Sequence, residues 1–215
     1  MSEAIVLPEE VALFPIRGCI LLPGQHLPLN VFEPRYLNMI DDAMADGKFI
    51  GMIQSTDQGT PSLPALERIG TVGRLVSHSE TEDGRYLVVL EGLIRFTMRE
   101  ELNRMKPYRV ASADYTGFED DLDPQSLTDP QFRTAFLSSL RRFFEKTGLE
   151  ADWDSLEQAP LTAVVDKVAM AAPFDAMTKQ SLLSAQTATI RADRLLAYME
   201  AVSDSDAPGD APSAE

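Results

Sequence analysis

The chain has 215 residues, of which 44% are apolar, a composition typical of a globular protein with a sizeable core and unlike that of a disordered chain. Its 19 basic and 34 acidic residues give a net charge of −15, which argues against nucleic acid and anionic lipid, because both bind basic surfaces. The sequence has no apolar run of the ~20 residues that span a bilayer, no secretory signal pattern and one cysteine, and we therefore predict a cytoplasmic protein without a disulfide.

Three short apolar runs open the chain, and residues that favour turns separate them. The runs cover residues 11–14, 19–22 and 26–32. Pro28 lies inside the third run and predicts an edge strand or a bulge, since proline cannot donate a ladder hydrogen bond. Pro34 suits a first helical position, and the apolar residues that follow at helical spacing predict a helix from about Pro34 to Ala45, which Gly47 ends.

Three motifs occur in order in this stretch, namely LFPIR at 13–17, LPG at 22–24 and PLNVFEPRY at 28–36. Together they resemble the opening of the N-terminal domain of Lon-type ATP-dependent proteases, a domain that also occurs in cereblon and in free-standing Lon-substrate-binding-like proteins. Two later motifs, GTVG at 70–73 and DGRYLVVLEGLIRF at 83–96, resemble the second signature block of this family. The resemblance covers roughly residues 10–202 and implies a stand-alone substrate-binding domain without the ATPase and protease domains.

Extended runs dominate the first half of the chain. We predict strands at 49–54, 69–79, 85–90, 93–98 and 108–115. Glycine and prolines predict an exposed loop over residues 55–67, and residues 82–84 predict a tight turn. About six or seven short strands with one helix indicate a small, partly closed β-barrel. The resemblance implies the PUA-like version of that barrel.

Helical patterns dominate the second half, and the predicted fold class is therefore α+β. The predicted parts are a barrel lobe at 1–117, an acidic linker at 118–128, an all-helical lobe at 129–202 and a disordered acidic tail at 203–215. The first predicted helix runs from Pro130 to Thr147. One helical turn from Asp154 precedes a second helix, from about Pro160 to Ala172. A short helix from Asp175 to about Leu183 and a final helix from about Thr187 follow.

The sequence carries no recognisable catalytic or metal-binding constellation. Its Gly47-Lys48 pair lacks the other residues of a phosphate-binding Walker loop. Ser77 and Ser79 flank His78, but neighbouring strand residues point to opposite faces, so a serine and this histidine would diverge. The possible zinc ligands are Cys19, His26 and His78, but they are far apart in the sequence and include neither a second cysteine nor a histidine pair four residues apart. We therefore predict that the protein is not an enzyme and needs no cofactor or metal.

Aromatic and arginine residues are the candidate binding residues, because these types dominate protein interfaces. The candidates are Phe14, Phe32, Arg35, Tyr36, Arg95 and Phe144. A structural role is the alternative for Arg35 and Arg95, which would then pair with carboxylates such as Glu91. Phe144 either extends the helical core or forms a docking point for a partner, since it lies ~100° around the helix from Phe143.

These features predict a non-catalytic module that binds proteins or peptides and resembles the substrate-recognition domain of Lon, with a role in proteolysis or protein quality control. The expected partners are unfolded or partner proteins, held by apolar surface between the two lobes, and a separate protease. One alternative is a PUA-like module that binds RNA or a small molecule, although the net charge disfavours RNA. The other is a hydrolase, which would need a nucleophile with a base.

Overall fold

The computed structural model describes residues 6–60, 62–123 and 126–204. The strands are β1 (Glu10–Pro15), β2 (His26–Val31), β3 (Phe49–Ile53), β4 (Ser55–Thr60), β5 (Leu63–Leu66), β6 (Ile69–Glu80), β7 (Tyr86–Leu102) and β8 (Val110–Asp114). The helices are α1 (Pro34–Ala45), α2 (Pro130–Thr147), α3 (Trp153–Gln158), α4 (Leu161–Ala171), α5 (Ala176–Leu183) and α6 (Ala188–Asp204), and a 3-10 turn spans Glu119–Leu122.

Six strands form one sheet in the order β2-β7-β6-β3-β1-β8. The long strand β7 also pairs with β8, so the sheet curls round and closes on itself. All of these pairings are antiparallel except β1 with β3. The predicted α+β class, with a partly closed barrel followed by helices, is confirmed.

Strand β2 stands at the end of the sheet order, as Pro28 predicted, because proline weakens a strand that must pair on both sides. Helix α1 has the predicted bounds, with Glu33 before it and Pro34 at its first turn. The carboxyl end of this helix passes through Gly47 with φ of 68°, a left-handed conformation that glycine adopts without steric cost. Only Phe32 and Glu33 lie between the end of strand β2 and the start of helix α1.

The apolar run at 19–22 forms no strand in the described part of the chain. It is a buried loop, and Thr71 satisfies one of its carbonyl groups by donating a hydrogen bond of 2.6 Å from its hydroxyl to the Leu21 oxygen. Gly92 lies against the same loop, where an added Cβ would stand 2.2 Å from the Leu22 oxygen. The loop is held by tertiary contacts and not by a strand ladder, which the local pattern could not reveal.

The segment 55–67, predicted as an exposed loop, instead contains the hairpin β4–β5. Gly59 pairs with Pro64 and has φ of 92°, so glycine supplies a backbone conformation that other residues rarely adopt. The two strands predicted at 85–90 and 93–98 are one strand, β7. Its register shifts beside Gly92, which leaves Leu93 as the extra residue of a bulge.

The helical lobe has its own core, in which α2, α4 and α6 pack together through residues such as Phe136, Val165 and Leu195. The caps predicted for α2 are present: the Asp129 side chain accepts a hydrogen bond of 2.9 Å from the Gln131 N–H, and Gly148 ends the helix with φ of 68°. Ile20 and Leu22 of the barrel loop also belong to this helical core. The two lobes therefore share apolar packing.

The acidic segment predicted as a linker begins against the barrel, because Phe118 is buried in the barrel core. Helix α6 runs to Asp204, so Ser203 and Asp204, which were predicted to begin the disordered tail, are helical. The rest of that predicted tail, at 205–215, lies outside the described residues.

We expect Gly92→Ala to lower the free energy of unfolding by about 2–3 kcal/mol, because the new methyl group overlaps the Leu22 carbonyl. Gly84→Ala is the matched control, since Gly84 has φ of 78° with nothing within 4 Å of an added Cβ. It should cost only about 1 kcal/mol of left-handed strain. Urea denaturation measures both changes, and equal losses would contradict the close approach at Gly92.

Candidate functional site

A groove opens where β1 and β2 end and α1 begins, and we call it the β1–β2 groove. Its volume is about 300 Å³. It is lined by Phe14, Pro15, Ile16, Arg17, Asn30, Val31, Phe32, Glu33 and Tyr36. These residues come from two places in the chain: β2 leads through Phe32 and Glu33 directly into α1, and Pro15 ends β1, the strand that precedes β2 in the sequence.

Aromatic rings form the floor and one projecting edge of the β1–β2 groove. Phe14 and Tyr36 are buried, with ring centroids 4.5 Å apart and ring planes tilted by 40°. Phe32 is 65% exposed, an unusual position for a phenylalanine in a folded protein. Packing fixes the rings of Phe14 and Tyr36, so a partner would contact a rigid apolar surface. It could also cover the exposed ring of Phe32.

The charges at the rim of the groove are balanced. The Arg35 guanidinium lies over the Tyr36 ring, 4.7 Å from its centroid, and pairs with the Glu33 carboxylate at 2.7 Å. Arg17 pairs with Asp57. Burial raises the pKa of the Tyr36 hydroxyl, so this side chain stays neutral under physiological conditions. The groove therefore presents an apolar centre with paired charges around it.

Four of the six residues predicted for binding thus lie together: Phe14, Phe32, Arg35 and Tyr36. The lining residues that the sequence did not single out include Ile16, Arg17 and Asn30. Two of these three belong to the motif at 13–17 and the third to the motif at 28–36, so membership of a shared motif was the signal that could have found them.

Arg95 lies elsewhere and is only 2% exposed. Its Nε and Nη2 atoms donate to the two Asp121 carboxylate oxygens at 2.8 and 2.7 Å, and its backbone N–H also donates to Asp121. Its Nη1 atom donates to the Leu183 carbonyl at 3.0 Å and to that of Ala185. Glu91, the expected partner, pairs with Arg74 instead. Arg95 thus joins β7 to the end of α5, which is a structural role.

Phe144 also lies apart from the β1–β2 groove. It is half-buried in the helical lobe, where its ring meets that of Trp153 edge to face at 5.6 Å. It packs against the helical core and lines a separate depression of that lobe.

The junction between the lobes is filled, so the apolar binding surface expected there is not present in the described structure. Gln54 donates to the Gln180 side chain at 2.9 Å and to the Ala176 carbonyl at 3.0 Å, and Gln180 donates to the Ile69 carbonyl at 3.0 Å. The cavity at this junction measures about 70 Å³ and is lined by charged and polar side chains that include Arg95 and Arg191. This space is too small and too polar to hold an apolar chain segment.

The described residues contain no group of three or more histidine, cysteine, aspartate or glutamate side chains that could hold a metal ion. Ser77, His78 and Ser79 are exposed on β6, and the His78 ring meets the Tyr86 ring at 4.6 Å, in an edge-on contact. No helix within the described ranges is both long enough and apolar enough to cross a membrane.

A family model described as the ATP-dependent protease La (LON) substrate-binding domain matches residues 10–201. The chain is 32% identical over 108 residues to a Lon protease of Flavobacterium johnsoniae, and 30% identical over 135 residues to one of Parabacteroides distasonis. These matches span 49% and 62% of this chain, but only 13% and 16% of those proteins.

Two solved structures have the same fold. A Lon N-terminal domain protein from Xanthomonas campestris superposes with a TM-score of 0.64 and 24% identity, over 88% of this chain and 98% of that one. The N-terminal domain of a Mycobacterium avium complex Lon protease superposes with a TM-score of 0.63 and 14% identity. That superposition covers 89% of this chain and 98% of the other. At these identities the likeness establishes the fold alone.

We expect Arg95→Met to lower the free energy of unfolding by about 3–5 kcal/mol, because it leaves the buried Asp121 carboxylate without its cation. Arg74→Met is the matched control, since it breaks the more exposed pair with Glu91 and should cost less than about 1 kcal/mol. Thermal and urea denaturation measure both. A loss at Arg95 no greater than that at Arg74 would contradict the structural role.

Proposed function

We propose a function for this chain, which belongs to the ATP-dependent protease La (LON) substrate-binding domain family: it binds apolar segments of other proteins and breaks no bond in them. The exposed Phe32, beside the buried rings of Phe14 and Tyr36, is the observation that carries this proposal. An apolar side chain of a partner would cover Phe32 and remove both surfaces from water, which is the main driving force for association.

The make-up of the β1–β2 groove supports a partner that is recognised by its apolar character. Few hydrogen-bond donors face the groove without an internal partner, because Arg17 and Arg35 are already paired with carboxylates. Contacts that are mainly apolar tolerate different partner sequences, which suits recognition of unfolded segments. The paired arginines and carboxylates would then border the contact, as polar rims do in protein interfaces.

The link to proteolysis is part of the same proposal. The relatives named Lon protease are several times longer than the region that this chain matches, so their activity cannot simply be transferred to it. We propose that the chain presents bound proteins to a protease, in the way that a substrate-recognition module acts beside a catalytic one.

We expect Phe32→Ser to weaken binding of reduced, carboxymethylated α-lactalbumin, a permanently unfolded probe, by about tenfold. Burial of a phenylalanine side chain contributes about 1.5–3 kcal/mol, and tenfold corresponds to about 1.4 kcal/mol. Fluorescence anisotropy of the labelled probe measures the dissociation constant. Because Phe32 is largely exposed, the variant should keep the stability of the parent protein.

Leu87→Ser is the matched control for this experiment. Leu87 is an exposed apolar residue on β7, outside the β1–β2 groove, so its replacement should leave the affinity unchanged. Equal losses at Phe32 and Leu87, or no loss at either, would contradict the assignment of the groove. Absence of binding by the parent protein would contradict the proposed function itself.

A further inference from the structure

A second groove lies on the helical lobe, away from the β1–β2 groove, and we call it the α3–α4 groove. Its volume is about 360 Å³, and most of its lining is apolar. The apolar side chains are Phe144, Leu149, Ala151, Leu156, Val168, Ala171 and Ala172. They come from the carboxyl end of α2, the loop after Gly148, α3 and α4, so three helices and one loop fix its shape.

The wall of the α3–α4 groove is reinforced by aromatic packing. The Phe144 ring meets the Trp153 ring at 5.6 Å, and Phe143 contacts Phe144 from the core side at 6.0 Å. The Arg141 guanidinium covers Trp153 at 4.3 Å from the ring centroid, and Arg141 also pairs with Glu157 at 3.0 Å. The groove is therefore pre-formed, and it lies beside the single tryptophan of the chain.

The groove is an open depression and not an enclosed cavity. Leu149 is 37% exposed, and Ala171 is also exposed. Small-molecule sites usually bury roughly 70–90% of their ligand, which an open depression does not do. Apolar side chains projecting from one face of a helix need less enclosure, because the rest of the helix stays in water. The shape therefore favours a helical segment of another protein.

The charges around the groove indicate which charge such a segment would carry. Residues 145–157 carry five carboxylates and one lysine; of the carboxylates, Glu157 pairs with Arg141, and Glu150 and Asp152 line the groove itself. Asp152 accepts hydrogen bonds from the Ser155 N–H and hydroxyl at the start of α3, whereas Glu150 makes no ion pair within the described part of the chain. Lys167 is the one cation in the lining, on α4. The two carboxylates outnumber it, and the whole chain carries a net charge of −15.

We propose that the α3–α4 groove docks a basic amphipathic helical segment of a partner protein. Apolar side chains of the segment fill the space between Phe144 and Ala171, and its lysine or arginine side chains face Glu150 and the acidic stretch around it. This interaction surface is independent of the β1–β2 groove. It gives the protein two binding regions, one for apolar unfolded chain and one for a specific basic partner.

The test uses the full chain and a tryptophan-free model peptide of leucine and lysine, patterned to form an amphipathic helix. Trp153 fluorescence and the anisotropy of the labelled peptide report binding. We expect saturable binding that changes Trp153 emission and weakens with added salt, since surface charge pairs are screened. The same peptide with glutamate in place of lysine should bind at least about fivefold more weakly, as like charges then face Glu150.

Two variants locate the site. Ala171→Arg places bulk and positive charge in the groove and should weaken binding of the lysine peptide by about tenfold or more. Glu150→Lys should weaken it by about threefold to tenfold, whereas Glu80→Lys, the same charge change on an exposed residue of β6, should have less than a twofold effect. Phe32→Ser should leave the affinity unchanged, which separates this site from the β1–β2 groove.

Three results would overturn the proposal. One is peptide binding that leaves Trp153 emission unchanged and survives Ala171→Arg. Another is equal affinity for the lysine and glutamate peptides, because the acidic rim would then have no role. The third is an equal effect of Glu150→Lys and Glu80→Lys, which would assign the binding to net charge alone. Circular dichroism of each variant confirms that any loss of binding occurs in a folded protein.

Discussion

The guanidinium of Arg95 holds the two lobes in one arrangement. It projects from β7 of the barrel, pairs with Asp121 on two of its nitrogens, and donates to carbonyl groups at the end of α5. Carbonyl groups at a helix carboxyl end are without internal partners and carry partial negative charge, so a buried cation satisfies them and also stabilises the helix dipole. Removing this one charge would leave the buried Asp121 carboxylate without its cation, and the Leu183 and Ala185 carbonyls without this donor.

This arrangement determines where recognition can occur. Because Arg95, Gln54 and Gln180 fill the junction with hydrogen bonds, no partner segment can enter between the lobes without breaking them. The two surfaces that we propose for binding face outward: the β1–β2 groove around Phe32 on the barrel and the α3–α4 groove beside Trp153 on the helical lobe. A rigid junction keeps these two surfaces at a constant separation, which suits a protein that binds two partners together.

Local signals in the sequence were sufficient for the helices and for part of the site. Pro34, Asp129 and Gly148 act on their own neighbours, so the bounds of α1 and α2 follow from a few residues. Phe14, Phe32, Arg35 and Tyr36 could be grouped because the motifs bring β1, β2 and α1 together. The partner of Arg95 could not be predicted, because Asp121 and Leu183 are 26 and 88 residues away along the chain. Likewise, only tertiary contacts keep residues 19–22 out of a strand.

Hydrogen exchange of the backbone amides, measured with and without an unfolded protein probe, can show directly whether unfolded chain binds around Phe32. We expect bound probe to slow exchange at residues 14–17 and 30–36, where β1, β2 and α1 form the groove around Phe32. The amides of residues 183–186 at the lobe junction should exchange at the same rate in both states, since the contacts of Arg95 stay intact. Protection centred on the junction, with none around Phe32, would contradict the proposal.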